Sequence, residues 1–426
     1  MSELQHVEHT TCNILFPRGD RNSFYYEAVR RESMKRIAGT VLAGSLLAAG
    51  TIPAATAEAA STGVTVTVVS GALNAPKHLT LTPAGLYVTE SGAGGTAGTP
   101  SCVTGPATGG TNLVQYCLGL TGAVSLIKGR SVVRSVPLPS VIEEDTQEVA
   151  GPSAIAFNGA SEAVVFQDVL ENPDGSNALP KPLGAAFGTL LLRQGGSVVR
   201  ADLAAFAAAN PQPASSLGDF PGETAYNSDP YDVAAYHGGY VVADAGANDL
   251  LAVSPQGAIS LLARFPALGE VAPANLIGNP KPITIEAQAV PTAVAVGPDG
   301  ALYVSLLRGV PSDPGTAQIY RVVPGQPPTV WAQGLTAVTA IAFDSKGRLL
   351  ATEYNVGGLL GPATDPGALV RISRNGRHIT TLPVTGLYQP TGVAVGPGGA
   401  VYVSNYGYNV ATDSHPGELL KITGLH

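Results

Sequence analysis

Short runs in which apolar and polar residues alternate recur six times along this chain. Each opens at or near a proline, turns, and closes on a second alternating run. The pairs span Pro76 to Glu90, Pro152 to Gln167, Pro230 to Asp244, Pro291 to Leu306, Val338 to Glu353 and Pro390 to Asn405. A period of two places one side-chain set on each face of a strand. Glycines fall where the two runs meet, as in Gly297 to Gly300, and supply the backbone freedom that tight hairpins need. A third strand follows each pair, with a shared Pro-Gly entry at Pro314, Pro366 and Pro416, and fourth strands follow at Ala258–Ala263, Thr329–Ala332 and His378–Leu382. Repeats of roughly 40–80 residues built from short strands are the pattern of β-propeller blades.

The last repeat lacks a fourth strand before His426, while Val64–Val69 has the pattern of one and precedes the first repeat. The expected fold is therefore all-β: a six-bladed β-propeller of four-stranded blades, closed by an N-terminal strand. Closure of this kind removes the free sheet edge. Asp202 to Asn210 is the one convincing helical stretch, with Asp at the start, Leu203 and Phe206 as anchors and Pro211 after the end. Long irregular loops are expected at roughly 91–121, 168–187, 354–367 and 406–417, all on the face where the second strands end. That face is the expected binding face.

The N-terminus reads separately. Residues 1–33 form an upstream extension. Residues 34–60 have the layout of a signal peptide: Met34-Lys35-Arg36, an apolar run from Ile37 to Ile52, and small residues up to Ala59. Residues 61–426 are the propeller. A secreted or extracytoplasmic location follows, with no membrane span after cleavage, because the apolar run is short and rich in Gly and Thr. In that setting Cys102 and Cys117, the pair left once Cys12 is removed, are expected to form a disulfide.

The formal net charge is −8, and residues 1–60 carry as many acidic as basic groups, so their removal leaves it unchanged. No basic run or stripe is present, which argues against nucleic acid and anionic membranes. A monomer is expected, with a small molecule or a protein as partner at the loop-rich face. There is no G-x-S-x-G, H-E-x-x-H, Walker loop or strand-following G-x-G-x-x-G.

The second-strand ends form a column: Glu90, Gln167, Asp244, Leu306, Glu353 and Asn405. Two readings stand. Glu90, Asp244, Glu353 and Asn405 converge at the channel mouth as oxygen ligands for a divalent cation, calcium or zinc, or these groups cap backbone amides and line a hydrated channel. Gln167, Tyr354 and Tyr406 belong to the same face, with Tyr388 and Tyr408 nearby; they stack on a ligand or pack loops against the blade tops. His78, His237, His378 and His415 show no metal spacing.

Five stretches together resemble the ScyD/ScyE family of exported propeller proteins, named for a gene cluster of scytonemin pigment biosynthesis. They are Ala201–Phe206, Ser228–Tyr231, Ala243–Leu251, Pro291–Gly300 and Gly392–Pro397. The resemblance covers about Val64 to Thr423, and its specific parts are the helix segment and Asp-Ala-Gly-Ala-Asn-Asp-Leu-Leu251. It implies an exported six-bladed ring and no particular activity. Leu306 departs from the family pattern, which usually carries Glu there, and so breaks a full carboxylate ring. The column also resembles that of lactonase-type propellers, which place a divalent cation at the channel; that is analogy of fold. Whether the chain is an enzyme is open. The two functions to test are an extracytoplasmic binding scaffold and a metal-dependent hydrolase or lactonase.

Overall fold

The computed structural model describes residues 63–106, 113–168, 170, 172, 175–220, 224–408 and 416–425. The expected extension 1–33 and signal segment 34–60 lie outside them, as does His415. Six first strands stand around one axis: Pro76–Thr82, Pro152–Asn158, Pro230–Tyr236, Pro291–Val296, Val338–Phe343 and Gly392–Val395. Each packs on the next, and the last packs back on Pro76–Thr82. The sheets fan outward from these strands in antiparallel order, which is the arrangement of a β-propeller. In the second sheet the order outward is Pro152–Asn158, Ser161–Phe166, Thr189–Gln194 and Ser197–Asp202.

The ring closes as the pattern predicted. Thr65–Leu73 pairs antiparallel with Gly417–Thr423 and completes the sheet that begins at Gly392. Leu203–Ala209 is the α-helix expected between the second and third sheets. Asp202 Oδ1 accepts from the Ala205 amide at 3.1 Å, and Leu203, Ala204 and Ala207 are buried. The core lies between neighbouring sheets, as where Leu190 and Leu192 meet Val242 and Leu251.

The expectation of six alike blades is corrected. Five sheets are four-stranded blades; the sheet that begins at Pro76 has six strands. The cause is the segment expected to be the loop 91–121. It folds as Cys102–Pro106 paired with the first half of Leu113–Lys128, a 16-residue strand that runs well past the blade. Its partner Ser131–Glu143 runs alongside, and Glu148–Ala150 pairs back on Val141–Glu143. The Cys102–Cys117 disulfide joins directly opposed residues of this extension.

A second unforeseen element is the hairpin of Leu268–Ala272 and Ile283–Ala287, inserted between the third and fourth sheets. Arg308 fastens it. This fully buried guanidinium donates to Glu270 Oε1 at 2.9 Å, Leu268 O at 2.8 Å and Gln288 O at 3.3 Å. The other Glu270 oxygen accepts from the Asp313 amide at 2.8 Å. Both charges are thus saturated by partners, the condition under which a buried pair is tolerated.

Candidate functional site

The column residues act on the chain that enters each sheet. Glu90 Oε2 accepts from the Asn74 amide at 2.8 Å, Glu353 Oε1 from the Thr336 amide at 2.8 Å, and Asn405 Oδ1 from the Tyr388 amide at 2.7 Å. Asp244 Oδ1 accepts from the Asp229 and Ala247 amides at 2.7 and 3.0 Å, and its Oδ2 from Ser228 Oγ at 2.7 Å. In three of these turns the next residue is left-handed without being glycine: Ala75 at φ 49°, Ala337 at 41° and Gln389 at 46°. That conformation is uncommon for such residues, and the acceptor holds the turn that needs it. Burial raises the carboxyl pKa of Glu90, Asp244 and Glu353, and these hydrogen bonds pull it back down.

Leu306 occupies the same position in the fourth sheet and packs among Val294, Val304 and Ala289. Among the described residues no group of three His, Cys, Asp or Glu is placed to hold a metal ion. Glu90, Asp244, Glu353 and Asn405 therefore sit at the predicted strand ends, but each is turned to its own sheet's entry turn.

Gln167 is one residue out of register with this column. The strand pairing sets Pro152 opposite Phe166, as it sets Pro76 opposite Glu90 and Val338 opposite Glu353. A one-residue shift moves a side chain to the other face. Gln167 is thus the equivalent of Ser91 and Tyr354, each the residue after a column position. Ser91 Oγ donates to Gln167 Oε1 at 3.4 Å.

The inner ring carries its own pattern. In the first five sheets the first strand bulges just after its opening residue, so that one extra residue has no partner across the ladder. A bulge re-aims the side chain it carries. The residues after the opening position are Lys77, Ser153, Tyr231, Thr292, Thr339 and, just ahead of its strand, Thr391. The four hydroxyls donate to a carbonyl at the start of the next first strand. Thr292 reaches Val338 O at 2.6 Å, Thr339 reaches Pro390 O at 2.7 Å, and Thr391 reaches Pro76 O at 2.6 Å. Ser153 donates to Tyr231 O. Lys77 and Tyr231 alone are large, and neither side chain makes such a link.

These two are the centre of a polar cluster at the mouth of the ring. Lys77 is 1% exposed, and its Nζ lies 5.7 Å from the Tyr231 ring centroid and 5.4 Å from that of Tyr408. Tyr354 meets Tyr408 edge-on at 5.4 Å. Tyr408 acts on the charge of Glu148, and Gln167 on that of Asp229. Glu148, Asp229, Tyr354 and Tyr408 are half-buried. Lys77 Nζ has no ion pair and no hydrogen bond among the described residues, and Asp229 Oδ1 is buried without a hydrogen-bond partner. Unpartnered polar groups of this kind carry a desolvation cost.

The charges respond to this setting. Burial lowers the Lys77 pKa to about 8, against the opposing pull of Glu148 and Asp229. Burial, then the charges of Asp244 and Glu148, push Asp229 up to about 7. Glu148 is raised by burial as well, and its charge raises Tyr408. The arrangement holds an amine that can lose its proton beside a carboxyl, Asp229, that can keep its own, between aromatic faces.

Of the predicted ligand-face residues, Gln167 and Tyr354 belong to this cluster. Tyr406 does not; it stacks on Tyr388 with ring centroids 5.7 Å apart and planes 10° apart. Lys77, Glu148, Asp229 and Tyr231 were not singled out from sequence. A signal for two of them was present: after the opening residue the repeats read Lys, Ser, Tyr, Thr, Thr, Thr. Glu148 reaches the mouth only because the enlarged sheet folds back there.

No protein-family model matches the chain, and no curated protein sequence does. Its backbone is similar to several solved structures. A streptogramin B lyase is 13% identical, covering 85% of this chain and 98% of its own, with a TM-score of 0.44. A virginiamycin B lyase from Staphylococcus aureus is 12% identical, covering 84% and 98%, at 0.43. A glucose dehydrogenase is 14% identical, covering 84% and 98%, at 0.46.

Proposed function

We propose that this chain is an exported β-propeller of the ScyD/ScyE type, six-bladed when the enlarged sheet is counted as a blade. Its role in this reading is to bind a small, uncharged aromatic molecule at the mouth of the ring. One observation carries the reading: Lys77 and Tyr231 replace the ring-stitching hydroxyl at two of six equivalent positions, and both meet the Tyr408–Glu148–Asp229 cluster. A ligand with an aromatic body and a hydroxyl or carbonyl fits three tyrosine rings, an unpartnered amine and an unpartnered carboxyl oxygen. The disulfide and the export signal read in the sequence support an extracytoplasmic site.

Saturation-transfer NMR with a panel of small uncharged aromatics, benzyl alcohol first, tests this. Binding is expected in the wild type and is expected to vanish in Tyr231→Ala and Tyr408→Ala, while Tyr402→Ala keeps it. Binding unchanged in both mouth variants, or no binding by any member of the panel, would sink the proposal.

A metal-dependent hydrolase or lactonase is the second reading and has less support, because one oxygen each of Glu90, Asp244, Glu353 and Asn405 already serves a main-chain amide. Calorimetric titration with calcium or zinc is the direct check; a heat of binding lost in the Asp244→Ala, Glu353→Ala double variant would restore it.

A further inference from the structure

We propose that Lys77 is a nucleophile that forms an imine with an uncharged aryl aldehyde bound between Tyr231 and Tyr408. This deepens the ligand reading above and rests on it. The geometry comes first. Lys77 is the only one of the six equivalent inner-ring positions to carry an amine, and it sits at the same bulge that re-aims Ser153, Tyr231, Thr292 and Thr339. The amine has two ring faces beside it and no ion-paired carboxylate among the described residues. A structural lysine buried this deeply would be expected to have found one, as Arg308 found Glu270.

The chemistry follows from the neighbours. The lone pair of Nζ attacks the aldehyde carbon, and the carbonyl oxygen takes up a proton to give a carbinolamine. The C–O bond then breaks, the oxygen leaves as water with a second proton, and nitrogen closes the C=N bond. Amine plus aldehyde thus give imine plus water, with no oxidant or reductant. Attack needs the free amine and water loss needs an acid. With Lys77 lowered to about 8 and Asp229 raised to about 7, the free amine and the acid are both present near neutral pH. A Lys at about 8 has on the order of 100-fold more free amine near neutral pH than an ordinary lysine. Specificity follows from charge: Asp229 and Glu148 stand beside Lys77, and among the described residues of the cluster the cation is the reacting group itself, so a carboxylate-bearing carbonyl is repelled where a planar aryl aldehyde stacks.

The test is reductive trapping on the full chain at neutral pH, with benzaldehyde and cyanoborohydride, read by peptide mapping. Lys421 is the internal control, since it also lies over a ring, Tyr402, at 5.9 Å, but away from the carboxyls. The expected result is benzylation of Lys77 roughly tenfold or more faster than of Lys421, and little modification of Lys77 by pyruvate. Asp229→Asn is expected to slow labelling of Lys77 and leave Lys421 unchanged. Equal rates at Lys77 and Lys421 would overturn the imine. Benzyl alcohol read in parallel separates the two claims. If it binds in a Tyr231-dependent way while Lys77 is not trapped, only the imine falls. If it does not bind, the ligand site falls with it.

Discussion

Arg308 and Lys77 are both cations buried in the same ring, and they could hardly be treated more differently. Arg308 has its guanidinium filled by Glu270, Leu268 O and Gln288 O, and it ties a hairpin to the fourth sheet. Lys77 meets two tyrosine faces and, among the described residues, no hydrogen-bond or ion-pair partner. Burial of an ammonium with no hydrogen-bonded counter-ion disfavours its charged form, and a fold gains nothing from it. Saturation marks the cation that builds the protein; its absence is what the proposed ligand site at Lys77 rests on.

Three measurements bear on that contrast, and the strongest effect is expected at the saturated site. Glu270→Ala leaves Arg308 charged and buried, and should lower unfolding free energy by about 3–5 kcal/mol in urea titration. A loss below ~1 kcal/mol would mean water replaces Glu270, and would erase the distinction.

The next effect is in pH. Asp229 is pushed up to about 7 in the fold, against its ordinary 3.8. Between those values the folded state binds more protons than the unfolded one, so its contribution is present below 3.8 and lost as pH rises through 7. Lys77 runs the other way: lowered to about 8 from 10.5, its contribution is present above 10.5 and lost as pH falls through 8. The mouth is therefore least stabilising between about 7 and 8. Asp229→Asn should gain stability relative to wild type as pH rises from 5 to 8, by denaturation at both values. A difference that stays flat would show that Asp229 titrates as an ordinary carboxyl.

The smallest effect is expected at Lys77 itself. Lys77→Met keeps the stem against the rings and removes the buried charge. Stability should be unchanged or higher, by up to about 1 kcal/mol, while aromatic binding weakens. A loss above ~3 kcal/mol would make Lys77 a second Arg308.

The sequence showed the ring better than its mouth, for reasons that particular residues make plain. Alternation and turn glycines placed the strand pairs, and the missing last strand pointed to Val64–Val69, most of which lies in the observed strand Thr65–Leu73, because those signals are local. Gln167 was set in the column because strand ends cannot be aligned to one residue without the pairing, and Pro152 in fact faces Phe166. Lys77 and Tyr231 stood in plain view at repeated positions. What that position does depends on the bulge, which is a property of pairing and not of either strand alone. Glu148 was invisible for another reason: a Gly- and Thr-rich stretch gave no hint that its flanks would form a 16-residue strand that brings the chain back to the axis.

The pairing of Thr65 with Thr423 also sets an order of events in time. Each of the second to fifth blades can assemble from its own consecutive stretch of chain, but the sheet at Gly392 lacks its outer strand until the two ends of the ring are both at hand. A contact of such sequence separation is slow to find. Until it forms, Gly417–Thr423 presents an unpaired edge, the kind of surface that invites association with another chain. The ring's last step is also its most exposed one, and a helper that shields that edge would have the most to do there.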